Sequence, residues 1–383
     1  MSKTQETLQS KNTTNDRTLH IAFELADKTW KLAFSDGSKF RYRSMEARNL
    51  PRLQDEIERA KSHYEINSQA RVVRCYEAGR DGFWLHRCLD NWGIENVIVD
   101  SSSIEVDRRK RRVKTDRIDA GKLSRMLIRY HGGERGLWRV VRVPSLSDED
   151  ARHLNRQLDS LKKERTIHCS RIRGLLMQQG LKVTTLCKTK FRRQLDRLRL
   201  WDGRQLPTGL KARVLREYER LRLVEEQILA LEKEKDRMLE KAESDNVRKI
   251  AQLQMLYGIG TVSSWTFVNE FFGWRQFKNR REVAALAGLT PTPYDSGDDT
   301  REQGISKAGS ARIRKLAVEI AWSWLRFQPQ SKLSRWYSKR FASGGKRMRR
   351  IGIVAVARRL LVDLWRYLEK GIVPEGARIR PIA

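Results

Sequence analysis

Four carboxylates are the residues of this sequence whose types and spacing could do chemistry. Asp116 and Asp119 stand three residues apart in Lys114-Thr115-Asp116-Arg117-Ile118-Asp119-Ala120. An apolar helical spacing follows at Leu123, Met126 and Leu127, so the two acids share one face of a helix start. The helix macrodipole favours negative charge there, and paired carboxylates make an oxygen site for a hard divalent cation. Taken alone, the stretch is also a capped, solvated first turn behind the basic run Arg108-Arg109-Lys110-Arg111-Arg112. Two more acids close strand-like runs: Glu24 in Leu19-His20-Ile21-Ala22-Phe23-Glu24-Leu25, and Glu77 in Arg71-Val72-Val73-Arg74-Cys75-Tyr76-Glu77. Chemistry in open α/β sheets collects at the carboxyl ends of strands. Each acid singly is an ordinary surface carboxylate; the four together in a basic chain point to a divalent-metal site. Ser296, in Tyr294-Asp295-Ser296-Gly297, is a hydroxyl in what reads as a turn.

The elements that must position these groups follow from periodicity. Thr29 to Phe34 alternates, with Trp30, Leu32 and Phe34 on one face; Asp36-Gly37 signals a hairpin turn and Phe40-Arg41-Tyr42 a returning strand. Pro51 opens a helix carrying Leu53, Ile57 and Ala60. The Glu77 strand, a helix from Phe83 to Trp92 closed by Gly93, a short strand Val97-Ile98-Val99-Asp100 and the Asp116 helix complete the order. A three-strand meander followed by alternating helices and strands predicts a mixed sheet flanked by helices.

Two long charged amphipathic helices come next. One runs from Leu146 to Gln179 with Leu154, Leu158, Leu161, Ile172, Leu175 and Leu176; the other from Lys211 to about Glu243 with Leu215, Leu221, Val224, Ile228, Leu231 and Met238. Around the break Leu200-Trp201-Asp202-Gly203 to Gly209 they predict an antiparallel helical hairpin or coiled coil. Its apolar seam suits dimerisation or packing on the first domain. Lys162, Lys163, Arg165, Arg171, Arg173, Lys188, Lys190, Arg192 and Arg193 are either a solvated face or a grip on a nucleic-acid backbone. Beyond it, Gly258-Ile259-Gly260 is either a helix-opening phosphate contact or a tight packing turn. From Ser310 the chain reads as helical, interrupted by Gly344-Gly345-Lys346-Arg347-Met348-Arg349-Arg350.

The 383 residues carry a formal charge of +32. Such an excess calls for a polyanionic partner, nucleic acid before an anionic membrane. No apolar run approaches a membrane span, and the polar stretch Met1 to Asp16 lacks the core of a signal peptide. Cys75, Cys88, Cys169 and Cys187 form no close pair, which fits a reducing cytoplasm. Some of the 11 tryptophans will be core; others are free to stack on bases.

The motifs Phe23-Glu24-Leu25, Cys75-Tyr76-Glu77-Ala78-Gly79 and Lys114–Ala120, in this order, resemble the RuvC-like, RNase H-fold domain of the DEDD transposases of insertion sequences. Gly288-Leu289-Thr290-Pro291, Tyr294-Asp295-Ser296-Gly297 and Ser306-Lys307-Ala308-Gly309 resemble the C-terminal transposase domain of the same family. The resemblance implies a tail at 1–17, a RuvC-like α/β domain at 18–144, a helical coiled-coil region at 145–249 and a mainly α transposase domain at 250–383. It implies that Glu24 (where the family usually has Asp), Glu77, Asp116 and Asp119 bind Mg2+ or Mn2+, and that Ser296 is the nucleophile forming a covalent phosphoserine with DNA. Arg108, Arg109, Lys110, Arg111, Arg112, Lys114, Lys307, Arg312, Lys346, Arg347, Arg349 and Arg350 would then contact nucleic acid. The implied partners are donor and target DNA, a structured noncoding guide RNA and further copies of the chain, as dimer or tetramer, in a prokaryotic cytoplasm at the nucleoid.

Overall fold

The computed structural model describes residues 17–104, 116–186, 190–241, 244–296 and 299–381. The chain divides into two compact units, 1–143 and 144–383. The tail and the run Arg108, Arg109, Lys110, Arg111, Arg112 and Lys114 lie outside the described residues.

In the first unit β1 (Leu19–Glu24), β2 (Thr29–Ser35) and β3 (Phe40–Glu46) form the expected meander, and β4 (Val72–Glu77) and β5 (Glu95–Val99) extend it. The order is β3-β2-β1-β4-β5, antiparallel among the first three and parallel from β1 through β4 to β5. Helices α1 (Leu50–His63) and α2 (Trp84–Asn91) cover one face, where Leu53, Ile57, Leu85 and Leu89 meet Ile21, Phe23, Trp30 and Tyr76. Asn49 caps α1 by accepting from Arg52 N at 3.0 Å, ahead of Pro51 in the first turn. Helix α3 (Asp116–His131) covers the opposite face, with Ala120, Leu123, Met126 and Leu127 on Ala22, Ala33, Val73, Cys75 and Val97. The central strands β1 and β4 are covered on both faces, which is why apolar residues occur on both of their sides rather than alternating with polar ones.

The second unit opens with α4 (Leu146–Met177), capped by Ser145, whose Oγ accepts from Asp148 N. After the short α5 (Phe191–Arg197), α6 (Thr208–Lys241) returns along α4. The seam that suited a dimer or the first domain is filled within the hairpin itself. Leu158 and Leu161 pack on Val224 and Ile228, and Ile172 and Leu176 on Val214, Tyr218 and Leu221. An amphipathic stripe states that a helix is covered, not by what; here the chain returns through α5 and covers it with its own second long helix. Helices α7 (Asp245–Gln254), α8 (Thr261–Phe267), α9 (Arg280–Leu286), α10 (Ala311–Phe327), α11 (Lys332–Tyr337) and α12 (Lys346–Lys370) enclose the largest core, which includes Trp265, Phe271, Trp324 and Leu364. Leu154 and Met238 of the hairpin join that core. Gly258 turns the chain against α10, where Ser323 Oγ donates to its carbonyl at 2.8 Å, and Ile259 is fully buried. The Gly-Ile-Gly segment is therefore a packing turn. The structure adds a two-stranded sheet, β6 (Pro291–Ser296) and β7 (Asp299–Ile305), where the sequence shows only prolines and a Ser-Gly turn.

Candidate active site

Parallel register sets the first half of the site. Phe23 lies opposite Tyr76, so Glu24 and Glu77, one residue further, end β1 and β4 at the same level, on strands about 4.8 Å apart. Alternation puts both on the side of Ala22, Val73 and Cys75, the face that α3 covers. Helix α3 runs back along that face. His131 at its end meets His20 near the start of β1, ring centroids 6.2 Å apart, and Cys75 Sγ approaches Leu123 O at 3.7 Å. From Leu123 back to Asp119 is about 6 Å along the helix; from Cys75 to Glu77 is about 6.6 Å along the strand. Asp119 thus stands level with the two glutamates, and Asp116 begins the helix one turn further out. Glu24 and Asp119 are half-buried and Glu77 is exposed.

An all-carboxylate donor set is what a hard cation such as Mg2+ takes, so the residue types fit the implied ion. Among the described residues no three acidic, histidine or cysteine side chains are drawn together tightly enough to hold a metal. Closing Glu24, Glu77 and Asp119 onto one ion therefore takes side-chain rearrangement. The side chain of Asp116 lies outside the described residues.

Ser296 is the last residue of β6, not a residue of an open loop. It is the closing pair of the hairpin, opposite Asp299, with a two-residue connection between them; its side chain lies outside the described residues. The base of this hairpin is locked by two of the motifs noted above. Ser306 N donates to Thr290 O at 2.8 Å, Lys307 N to Gly288 O at 3.2 Å and Ser310 N to Leu286 O at 2.9 Å. Lys307 holds a left-handed φ of 55°, and Arg314 Nη1 donates to its carbonyl at 3.0 Å. Gly309 follows at φ 106°, with a Cβ there directed into the carbonyl of Leu286. Gly309→Ala combines a disfavoured backbone with overpacking, together about 2–4 kcal/mol. The expected result is a melting temperature of this unit lowered by about 5–15 °C, checked by calorimetry on the full chain.

The cationic candidates separate by environment. Lys346, Arg347, Arg349 and Arg350 are all exposed in the first turns of α12, which has no acid there and no side-chain cap. Cations at a helix N-terminus oppose the macrodipole and repel one another, a cost that a bound polyanion would offset. Lys307 is exposed at the hairpin base. Arg312 is otherwise engaged: its guanidinium bonds Asp159 of α4 and lies 3.5 Å from Glu270. It ties α10 to α4 rather than standing free for a phosphate. Along the hairpin, Lys162 pairs with Glu232, Arg171 with Glu217 and Arg192 with Glu219, while Lys163, Arg165, Lys190 and Arg193 are exposed. Lys188 lies outside the described residues.

Sequence reading missed one cluster. Glu270, buried in a π-helical turn (Val268–Phe272), receives Arg156 through two bonds of 2.7 and 2.8 Å. Nearby, Lys235 Nζ donates to Asn155 Oδ1 at 2.8 Å and lies over the Trp265 ring at 4.7 Å; burial pushes its pKa down to about 8. The partners are separated by some eighty to over a hundred and fifty residues, so no local spacing announces them.

Comparison with known proteins settles the family. A family model described as "Transposase IS116/IS110/IS902 family" matches residues 250–335, the stretch that holds the β6–β7 hairpin. A Sinorhizobium fredii protein named "Putative transposase y4rJ" is 44% identical over 309 residues, covering 79% of this chain and 78% of its own. "Transposase for insertion sequence element IS1111A" of Coxiella burnetii is 27% identical over 213 residues, covering 56% and 55%. The chain belongs to the IS116/IS110/IS902 family of transposases. Among the described residues no helix is long and apolar enough to cross a membrane.

Proposed function

We propose that this transposase moves an insertion sequence as an RNA-guided DNA recombinase, with Ser296 as nucleophile and Glu24, Glu77, Asp116 and Asp119 as its carboxylate centre. The observation that carries the reading is the placing of Glu24 and Glu77 side by side at parallel strand ends, level with Asp119 on the helix above. The strand order β3-β2-β1-β4-β5 supports the RNase H-like assignment. The formal charge of +32 and the exposed cations of α12 support long phosphate backbones as partners.

Ser296 Oγ attacks a DNA phosphorus, one P–O bond to the departing deoxyribose breaks, and a phosphoserine forms. The serine proton is lost and the departing oxygen gains one. A hydroxyl of the other DNA partner then attacks the phosphoserine and frees the serine, so one ester replaces another and no ATP is consumed. A hydroxyl needs help to be nucleophilic, and the four carboxylates would hold Mg2+ or Mn2+, which supplies charge neutralisation at the phosphate. The reading requires that the carboxylates and the serine act on one phosphate. Specificity comes from a structured noncoding RNA pairing donor and target DNA, in the prokaryotic cytoplasm, while protein cations hold backbones with little regard to sequence.

Glu77→Gln keeps the size of the side chain and removes its charge. It is expected to lower Mg2+-dependent strand cleavage about 1,000-fold, the equivalent of about 4 kcal/mol of transition-state stabilisation, with DNA binding retained. Cleavage that survives both Glu77→Gln and chelation of divalent ions would exclude the carboxylate centre.

A further inference from the structure

The far end of the helical hairpin carries a tryptophan that the fold does not use. Trp201 is 91% exposed. The apolar residues to either side of its turn are not: Leu195 and Leu206 are buried with Phe191 and Tyr218 in the core of the hairpin tip. Nor is Trp201 in a frayed loop. Arg199 and Gln205 form a β-bridge, Leu200 N donates to Arg204 O at 2.8 Å and Gly203 N to Leu200 O at 3.0 Å. Asp202 Oδ1 accepts from Arg204 N at 3.1 Å. A tight turn of this kind asks nothing of the residue at 201, and a short polar side chain would serve it. A large indole held in water on a rigid turn is instead a ready face for a flat partner.

The surroundings specify the partner. Between 190 and 211 the only acids are Asp196 and Asp202, and each is neutralised, by Lys211 at 2.7 Å and Arg204 at 2.5 Å. Lys190, Arg193 and Arg197 are exposed and have no carboxylate partner among the described residues. An exposed aromatic face in a segment rich in exposed cations is the composition of a single-strand stacking platform, where a base lies on the ring and its phosphates on the cations. Duplex bases are already stacked and cannot use such a face; unpaired bases in RNA loops can.

We infer that the hairpin tip is a single-stranded RNA contact in which Trp201 stacks on an unpaired base and Arg193 and Arg197 hold the flanking phosphates. This deepens the RNA-guided reading and rests on it for the presence of RNA, but the tip can be tested without the natural RNA. The probes are a 20-nucleotide unpaired RNA, the same sequence as DNA, and a fully paired RNA, each titrated against the full chain. Trp201→Ala is expected to weaken the unpaired RNA about 5- to 100-fold and leave the paired RNA unchanged, while Trp201→Phe restores most of the loss. Arg193→Ala is expected to lower the salt slope for unpaired RNA by about 0.7. Equal binding of unpaired RNA by wild type and Trp201→Ala overturns the inference. So does a loss shared equally by paired RNA, or one confined to the DNA strand. A Trp201→Ala chain that binds RNA normally but changes oligomeric mass would overturn it too, making the tip a contact between copies. Sequencing RNA that copurifies with wild type reports separately on the guide: random cellular RNA there sinks the guided mechanism and leaves the Trp201 titration readable.

Discussion

Ser296→Ala is expected to abolish the covalent protein–DNA adduct and to lower strand transfer by about 10⁶-fold, the order of loss when a serine nucleophile is removed from a working site. The substitution deletes one oxygen at the closing pair of the β6–β7 hairpin and touches none of the hydrogen bonds between Gly288 and Ser310 that lock its base. The fold and DNA affinity are therefore expected to stay within about twofold of wild type. Denaturing gels of protein incubated with labelled DNA measure the adduct, and a strand-exchange assay measures the rate. Cleavage at the wild-type rate by Ser296→Ala would assign the chemistry to water activated at the carboxylates, a hydrolytic endonuclease. Adduct formation preserved in Glu77→Gln with strand transfer lost would separate the two halves of the site.

The same hairpin shows where sequence reading reaches its limit. Glu24 and Glu77 were legible because β1 and β4 are short, apolar and end in an acid, and parallel pairing then fixes their level. Asp119 was legible because the spacing of Leu123, Met126 and Leu127 fixes the face of α3 that meets the sheet. Ser296 was legible as a residue but not as a strand end. Pro291 and Pro293 remove backbone donors and a register shift sits between them, so the run lacks the regular pairing that alternation would announce. The closure of α4 on α6 was legible as a seam without a named partner. Arg312, expected on the nucleic-acid surface, also bonds Asp159, 153 residues earlier, a pairing that no local spacing announces. Long-range ion pairs leave no trace in spacing, and they decide which cations remain available.

That ion network sets a large and pH-dependent stability effect. Glu270 is a carboxylate 9% exposed among arginines: Arg156 bonds both its oxygens, Arg312 lies 3.5 Å away, and Arg275 Nη1 donates to its main-chain carbonyl at 2.6 Å. Arg152, itself buried, adds a further positive field. Burial alone would raise the Glu270 pKa; the Arg156 bonds and the charges of Arg156, Arg312 and Arg152 overcome it and hold the group below the ordinary carboxylate value. Glu270→Gln keeps the shape and removes the charge, leaving Arg152 and Arg156 with their mutual repulsion. Breaking a buried pair from one side costs about 3–5 kcal/mol. Arg156 is half-exposed and can rehydrate, so about 3 kcal/mol is expected, a fall of about 6–12 °C in melting temperature. Because the folded pKa is depressed, the stabilisation is complete above the unfolded carboxylate pKa near 4.3 and is lost as pH falls through the lower folded value. The gap between wild type and Glu270→Gln should therefore be full at pH 7 and close under acid. Urea titrations at pH 7 and pH 3 measure both; a gap that persists undiminished at pH 3 would trace the loss to packing rather than charge. Arg312→Ala tests the network from its other side. Destabilisation at pH 7 in the absence of nucleic acid marks Arg312 as the tie between α10 and α4, whereas unchanged stability with weaker DNA binding would return it to the nucleic-acid surface.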